Sequence, residues 1–399
     1  MATRQGVVGV RARSRAPAQT LGRGHPAVLL SVSVGSLLVL GLVMILSASS
    51  VTSFATYDSS FFFFKRQLVC AIIGAGAFIF FARLDYRKLS GSGYLLFAGT
   101  CALLVAVLIP GLGITVGGSA RWLGWGPLSF QPSEMAKLAF VLFAADVFSR
   151  KDEKLLEGFS HTVLPLMPAM GLLVLLIMKQ PDMGTTLVTG AIGLSMLFVA
   201  GAPLRFLLPI GLIGVAAASF GALAAPYRRA RLLAFMDPWA DPLYTGYQTI
   251  QSLIALGSGG WFGVGLGASR QKWMYIPNAH TDFIYAILGE ETGALGTLVV
   301  LGLFAFIAFL GIKIARRAPD RFGMLIASGI TVWICFQALV NIGAVTAALP
   351  ITGVPLPFVS FGGTSLVISL IAMGILTSIA LHSKPPRGQK RTARRPASR

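Results

Sequence analysis

An acidic residue follows several basic residues where a long polar stretch meets an apolar segment. Asp282 lies two residues after His280, and Arg270 and Lys272 precede both. A carboxylate can take a proton from an attacking hydroxyl, and cations can stabilise the charge on departing phosphate oxygens. These residue types are therefore the ones that displacement of a phosphate leaving group requires. The competing interpretation is that Asp282 only caps the helix that follows it.

A second group of polar residues surrounds the start of another apolar segment. The pattern predicts a helix that begins at Pro132 and Ser133, directly after Gln131, with Glu134 in the first turn, where the helix dipole favours a carboxylate. Lys137 follows three residues later on the same helical face, which predicts a structural ion pair with Glu134. The alternative is that Lys137 and Arg121 hold a phosphate while Glu134 orients them or a metal, because ionisable residues at membrane depth often serve function.

Two further polar segments separate apolar runs. In the turn of residues 180–182, Asp182 either caps the helix that begins near Gly184 or contributes to a site. The loop of residues 346–363 is rich in proline and glycine, and it either lines a groove or simply returns the chain. The residues alone leave both pairs of interpretations open.

The composition identifies the protein class that must position these residues. The chain has 399 residues, of which 55% are hydrophobic and 12% are charged, a balance that no soluble domain of this length could bury. About ten runs are long enough to cross about 30 Å of hydrocarbon, and they lack the alternation of barrel strands. The sequence therefore predicts an all-α polytopic membrane protein. The predicted spans are residues 27–50, 65–82, 93–110, 133–149, 161–178, 184–201, 204–225, 282–312, 322–345 and 364–382.

The basic residues predict the orientation of these spans. Residues 1–26 and 383–399 are rich in arginine and lysine and contain no acid, so both ends are expected in the cytoplasm, flanking a transmembrane domain of residues 27–382. The basic loops at 83–88, 150–154 and 313–321 then fall on the same side. The predicted extracellular loops are residues 111–132, 180–182, 226–281 and 346–363.

The loop of residues 226–281, between helices 7 and 8, is far longer than the usual connection of a bundle, which favours a functional loop. Residues 250–256 suggest a short amphipathic helix on the membrane surface. The net charge of +19 does not predict nucleic-acid binding, because the basic tails are short, lack interleaved aromatic residues and flank membrane spans. Attraction to anionic membrane lipids explains them better. The cysteines Cys70, Cys101 and Cys335 lie in apolar runs without metal-ligand spacing.

Four segments resemble signatures of the SEDS family of cell-wall polymerases, which includes FtsW, RodA and SpoVE, and they occur in the family's order. They are RWLGWGPLSFQPSEMAKL (121–138), QPDMGTTLV (180–188), GYQTIQSLIALGSGGWFGVGLGASRQKWMYIPNAHTDFIYAILGEETG (246–293) and LPITGVPLPFVSFGGTSL (349–366). Chance similarity between apolar helices does not explain shared polar motifs in four loops. The third segment is more similar to the FtsW branch than to the RodA branch. Phe361 stands where many members carry tyrosine.

The resemblance implies a peptidoglycan glycosyltransferase that polymerises lipid II and releases undecaprenyl pyrophosphate. Asp282, in the family's HTDF motif, would be the general base for the acceptor hydroxyl. Arg121, Lys137, Arg270 and Lys272 are candidates for the diphosphate. A divalent cation, Mg²⁺ or Mn²⁺, is expected from the resemblance alone, and its ligands are unknown. The remaining candidate substrate-binding residues are Gln131, Ser133, Glu134, Asp182, His280 and Glu290. Glu290 and its neighbour Glu291 would either line the lipid cavity or pair with Lys137.

The resemblance also implies partners and a location. A class B penicillin-binding protein would crosslink the nascent glycan strand, because this chain has no transpeptidase domain. An FtsW-like member would act with divisome proteins in the bacterial plasma membrane at the division septum. The alternatives are a RodA-like elongation polymerase, a noncatalytic scaffold and a lipid II flippase. A flippase predicts inverted repeats and a site near the membrane midplane, whereas the strongest polar cluster here lies at the outer edge.

Overall fold

The computed structural model describes residues 25–116, 118–125, 128–151, 158–224, 226–277 and 279–383. The predicted basic tails, apart from residues 25, 26 and 383, lie outside these ranges, as does most of the predicted loop at 150–154. Within the ranges the chain forms twelve α-helices and three short β-strands. The helices are α1 (Pro26–Tyr57), α2 (Phe62–Arg83), α3 (Ser92–Leu108), α4 (Pro132–Ser149), α5 (Phe159–Lys179), α6 (Met183–Ala200), α7 (Leu204–Ala224), α8 (Pro226–Met236), α9 (Tyr247–Ser258), α10 (Ile284–Arg317), α11 (Arg321–Val345) and α12 (Gly363–His382).

Each predicted span corresponds to one helix, and α8 and α9 are additional helices within the long loop. Eight of the helices in the described ranges are long and apolar enough to cross a membrane by length and composition. The other two that match predicted spans are α3, which is apolar but shorter, and α4, which carries Glu134, Lys137 and Asp146. The predicted all-α polytopic membrane protein is therefore confirmed.

The predicted extracellular loop after α3 contains a small antiparallel sheet. Its strands are β1 (Ile114–Val116), β2 (Ser119–Trp125) and β3 (Leu128–Phe130), in the order β1-β2-β3. Ile114 pairs with Trp122, and Leu123 pairs with Phe130. Strands this short carry too little alternation to be predicted against a background of apolar helices. The sheet matters because β2 carries Arg121.

The connections between the helices separate into two groups at opposite ends of the bundle. At one end, Tyr86 donates a hydrogen bond to Asp320 (2.6 Å), and the Arg87 guanidinium lies 3.0 Å from the same carboxylate. Arg321 donates to the carbonyl oxygen of Ala200 at the end of α6 (2.8 Å). The predicted cytoplasmic loops at 83–88 and 313–321 therefore lie together. The predicted extracellular loops meet at the other end, where the candidate site lies.

Helix α10 is broken near its start, and a glycine-rich segment of the long loop packs against the break. Gly293 has φ 69° and ψ −168°, a backbone conformation outside the helical region. The amides of Val264 and Gly265 donate to the carbonyl oxygens of Glu290 and Glu291 (3.0 and 3.1 Å). These bonds satisfy backbone groups that a broken helix would otherwise leave unpaired.

We predict that Gly293→Ala lowers the free energy of unfolding by at least about 2 kcal/mol, because an alanine is strained at this φ. Its Cβ would also lie 2.4 Å from the backbone nitrogen of Gly263 and 2.5 Å from the carbonyl carbon of Trp261. The measurement is the apparent melting temperature of the detergent-solubilised protein.

The matched control is Gly302→Ala in the same helix, where a Cβ would meet no atom within 4 Å. This variant should melt at the wild-type temperature or slightly above it, since alanine favours helix more than glycine does. Equal melting temperatures for the two variants would contradict the proposed strain at Gly293.

Candidate active site

Asp282 lies in the short segment before α10, and two other parts of the chain hold its backbone. The side-chain amide of Asn341 in α11 donates to the carbonyl oxygens of Asp282 (2.9 Å) and Val354 (2.8 Å). Gly353 has φ 74°, and a Cβ there would lie 3.6 Å from a carboxylate oxygen of Asp282. Asn341 therefore fixes Asp282 against the loop that precedes α12. Sequence reasoning missed this residue, although a buried amide in an apolar helix was the available signal.

The surroundings of Asp282 favour a carboxylate that titrates near neutrality. Burial raises the pKa of Asp282 to about 6, the charges of Arg231 and Arg121 oppose this rise, and the charge of Asp182 adds to it. These groups therefore lie close enough to interact electrostatically with Asp282. Arg231, in α8, was not among the predicted site residues. A base with such a pKa is largely ionised at neutral pH and still able to accept a proton.

Arg121 connects the small sheet with the turn between α5 and α6. Its guanidinium donates to the carbonyl oxygens of Gln180 (3.0 Å) and Pro181 (2.6 Å). Asp182 in the same turn caps α6, because its carboxylate accepts bonds from the amide (3.0 Å) and hydroxyl (2.8 Å) of Thr185. The capping interpretation of Asp182 is confirmed. Its effect on Asp282 shows that it also belongs to the surroundings of the site.

Glu134 and Lys137 form a buried ion pair with an N–O distance of 2.9 Å. The Lys137 ammonium also donates to the side chain of Gln337 (2.7 Å) and lies 5.1 Å from the centre of the Trp333 ring. Gln337 in turn donates to the carbonyl oxygen of Pro355 (3.0 Å). With Lys137 fully buried, the geometry supports the structural ion pair rather than a phosphate ligand. The pair connects α4 to the loop beside Asp282.

Glu290 organises the basic segment that precedes Asp282. Its carboxylate accepts bonds from the hydroxyl of Ser269 and from the amides of Arg270 (3.0 Å) and Gln271 (3.3 Å). The predicted alternative of a Glu290–Lys137 pair is wrong, because each residue has other partners. Glu290 in α10 thus fixes the backbone of the loop at residues 269–271. The spacing of residues along one helix cannot show such a contact with a loop.

The four predicted diphosphate ligands do not form one cluster in the structure. Arg121 lies near Asp282, and Arg270 is exposed, whereas Lys137 is enclosed by its own partners. Lys272 is buried, and its ammonium donates to the carbonyl oxygen of Gly267. The arginines are therefore the basic residues best placed to meet an anionic group. Diphosphate binding by Lys137 and Lys272 stays a prediction.

His280 and Gln131 lie where the outer loops meet α12. The His280 ring packs between Phe63 (centroid distance 4.6 Å) and Phe361 (5.6 Å), and burial lowers the pKa of His280 to about 4. Because its pKa is lowered, His280 is neutral near pH 7. The backbone amide of Gln131 donates to the hydroxyl of Thr364 (3.3 Å), and its side-chain amide donates to the hydroxyl of Ser133 (3.0 Å). These contacts join the predicted extracellular loops into one surface.

A cavity of about 810 Å³ opens between α2 and α12, below the small sheet. Its walls are mostly apolar, and Lys65 and Arg66 lie at its outer end. The guanidinium of Arg66 donates to the hydroxyl of Ser129 in β3 (2.6 Å). Phe361, which packs on His280, also lines this cavity. An apolar groove with a cationic end has the chemistry of a lipid-binding site.

The sequence profile of the FtsW/RodA/SpoVE family, described as cell cycle proteins, matches residues 28–385. The chain belongs to this SEDS family. Stage V sporulation protein E of Bacillus subtilis (strain 168) is 44% identical over 365 residues, which cover 92% of this chain and 100% of that protein. The probable peptidoglycan glycosyltransferase FtsW of Geobacter metallireducens is 39% identical over 360 residues, covering 90% and 96%.

Solved structures of SEDS proteins share the fold. The crystal structure of the rod shape determining protein RodA of Thermus thermophilus has 26% identity and a TM-score of 0.66, covering 92% of this chain and 99% of that one. A chain from a peptidoglycan synthase complex, whose structure concerns the coordination of polymerization and crosslinking, has 30% identity and a TM-score of 0.72. The matched region covers 88% of this chain and 96% of that one. The SEDS membership expected from the sequence is confirmed.

We predict that Lys137→Met lowers the free energy of unfolding by about 3–5 kcal/mol, because it leaves the Glu134 carboxylate buried without its cation. The double variant Glu134→Gln/Lys137→Met should recover most of this loss. Thermal unfolding in detergent measures both. Wild-type stability of the single variant would contradict a structural ion pair and favour the phosphate-ligand interpretation.

Proposed function

We propose that this protein is a peptidoglycan glycosyltransferase that polymerises lipid II into glycan strands. The observation that carries the proposal is the position of Asp282, a partly buried carboxylate with a pKa of about 6 beside Arg121 and Arg231. These residues come together where the outer loops converge. The naming of FtsW relatives as probable peptidoglycan glycosyltransferases supports the same activity.

In this mechanism Asp282 acts as general base. It takes the proton of the acceptor's GlcNAc 4-hydroxyl while that oxygen attacks the anomeric carbon of the donor. The bond between the anomeric carbon and the diphosphate oxygen breaks, and undecaprenyl diphosphate leaves with the bonding electrons. The positive charges of Arg121 and Arg231 stabilise the leaving diphosphate. Asn341 keeps the backbone of Asp282 in place during the reaction.

A divalent cation, Mg²⁺ or Mn²⁺, fits the acidic residues of this site. Mg²⁺ is usually held by one or two carboxylates together with substrate phosphates, and Asp182 lies close enough to Asp282 to raise its pKa. Within the described ranges no group of three or more His, Cys, Asp or Glu side chains is arranged around a possible metal. Asp182 and the substrate diphosphate would hold the ion, which would neutralise the leaving group.

A class B penicillin-binding protein that crosslinks the nascent strand is the proposed partner. The likeness to a chain of a peptidoglycan synthase complex supports this partnership. The FtsW and SpoVE relatives favour a plasma-membrane enzyme that works with divisome proteins at the septum, over a RodA-like role in elongation. A flippase would need its site near the midplane, whereas the Asp282 site is built from loops at one end of the bundle.

We predict that Asp282→Asn lowers lipid II polymerisation at least about 100-fold, because an amide cannot act as general base. The assay uses the purified protein with its penicillin-binding partner, lipid II, Mg²⁺ and moenomycin, which silences classical glycosyltransferases. The control is Asp241→Asn in the same loop, whose carboxylate accepts hydrogen bonds from the amide (3.1 Å) and hydroxyl (2.8 Å) of nearby Thr245. Equal polymer from wild type and Asp282→Asn would refute the proposed base.

The pH dependence of kcat/KM should report the same carboxylate. Because the pKa of Asp282 is raised to about 6, its basic form is lost below that pH. Activity should therefore fall about tenfold per pH unit below pH 6 and level off above it. His280, with a pKa near 4, stays neutral over the assayed range. An acidic limb centred below pH 4.5 would contradict this assignment.

A further inference from the structure

The break in α10 lies at the level of the membrane surface. At a rise of about 1.5 Å per residue, Gly293 lies about 36 Å from Arg317 at the opposite end of α10. A second measure comes from α1, where Ser47 donates to the carboxylate of Glu291 (2.5 Å). Ser47 lies about 32 Å from Pro26 along α1. Both distances match a hydrocarbon core of about 30 Å.

The sequence of α1 changes at the same level. Up to Leu46 the helix is mostly apolar, whereas SASSVTSFATY, residues 47–57, is rich in hydroxyl side chains. In α10, the segment before Gly293 is almost wholly buried in protein, and the segment after it exposes Leu295, Leu298 and Val299. The hydrocarbon core therefore extends from Gly293 towards Arg317, and the Asp282 site lies above it.

The glycine-rich part of the long loop is bonded to α10 at this boundary. The amides of Ala294 and Leu295 donate to the carbonyl oxygens of Gly260 (2.8 Å) and Trp261 (3.2 Å). The amide of Val264 returns a bond to Glu290 (3.0 Å). The loop of residues 260–266 is thus fixed to the first turn of the membrane-crossing part of α10.

The side chains of this loop are apolar, large and exposed. Trp261 is 68% exposed, Phe262 82%, Leu266 64% and Val264 46%. Leu295, whose amide bonds to Trp261, is itself an exposed residue of α10, so the loop surface continues into the surface of a membrane span. A group of large apolar side chains this exposed requires an apolar partner.

We propose that the loop of residues 260–266 is a membrane anchor that inserts Trp261, Phe262 and Leu266 into the outer leaflet at the headgroup boundary. Tryptophan is favoured at that depth, and amphipathic protein segments bury apolar side chains about 5–10 Å into it. The bonds to α10 satisfy backbone groups of the loop, so the loop can lie at the boundary without leaving those groups unpaired. The depth of the loop and its continuity with α10 identify lipid as the occupant.

This anchor does not depend on the proposed polymerase activity, but it adjoins the site. Gly267 connects the loop directly to the segment that Glu290 holds, and Arg270 in that segment is exposed. The membrane surface would therefore set the height of Arg270 above the leaflet. An anionic headgroup carried by a lipid substrate would meet this cation at that height.

The test is nitroxide labelling of Phe262→Cys in a variant whose native cysteines are replaced by Cys70→Ala, Cys101→Ala and Cys335→Ala. The full chain is placed in liposomes of phosphatidylethanolamine and phosphatidylglycerol, and collisions of the label with oxygen and with a water-soluble nickel chelate are compared. Leu298→Cys on the lipid-facing side of α10 is the lipid reference, and Asp241→Cys is the water reference. We expect the label at 262 to resemble position 298, with at least about tenfold less nickel collision than position 241.

A label at 262 that collides with nickel as often as position 241 does would overturn the proposal. If protection at 262 appears only after the penicillin-binding partner is added, the loop is a protein-docking surface, and the lipid anchor is wrong. Because the cysteine replacements can disturb folding, a second measurement retains the native cysteines. Brominated lipids should quench less of the tryptophan fluorescence in Trp261→Phe than in wild type, and an unchanged quenched fraction would refute the anchor.

Discussion

The side-chain amides of Gln337 and Asn341, one helical turn apart on α11, connect the buried charges of the bundle with the loop that carries Asp282. Gln337 accepts from Lys137 and donates to Pro355, and Asn341 donates to Asp282 and Val354. A charge removed from water requires hydrogen-bonded partners, and a loop beside it requires partners for its carbonyl groups. One helix meets both needs at neighbouring positions. The position of Asp282 and the burial of Lys137 therefore depend on neighbouring residues of the same helix.

The acidic residues of α10 differ in role because they face different elements. Glu290 faces the loop and accepts from its backbone amides, and Glu291 accepts from Ser47 of α1. Both sit just before the break at Gly293, where the chain changes from a segment enclosed by protein to one that crosses the membrane. The break lets one α-helix hold the active-site loop at its start and cross the membrane with the remainder. A glycine is required there because no other residue adopts this backbone conformation without strain.

Apolar run lengths predict the ten long helices because hydrocarbon thickness acts on every span in the same way. Motif resemblance identifies Asp282 and the loops that surround it. The sequence does not reveal Asn341 and Arg231 as neighbours of Asp282, because their proximity arises from packing between segments far apart in the chain. For the same reason, the spacing of Glu134 and Lys137 predicts their ion pair, whereas the contacts of Glu290 with residues 269–271 needed the fold. Local periodicity thus predicts the helices, whereas tertiary contacts decide which polar residues meet.

The charge balance around Asp282 suits a base that is strengthened when substrate arrives. In the free protein, the positive charges of Arg231 and Arg121 limit the rise in the pKa of Asp282 that burial and Asp182 cause. Under the proposed mechanism, the donor diphosphate brings negative charge to these arginines and so offsets their effect on the carboxylate. The pKa of Asp282 would then rise in the complex, which increases its tendency to accept the acceptor's proton. Opposing charges hold the pKa of Asp282 at about 6 in the free protein. Binding of the diphosphate, the group that must leave, thereby makes Asp282 a stronger base.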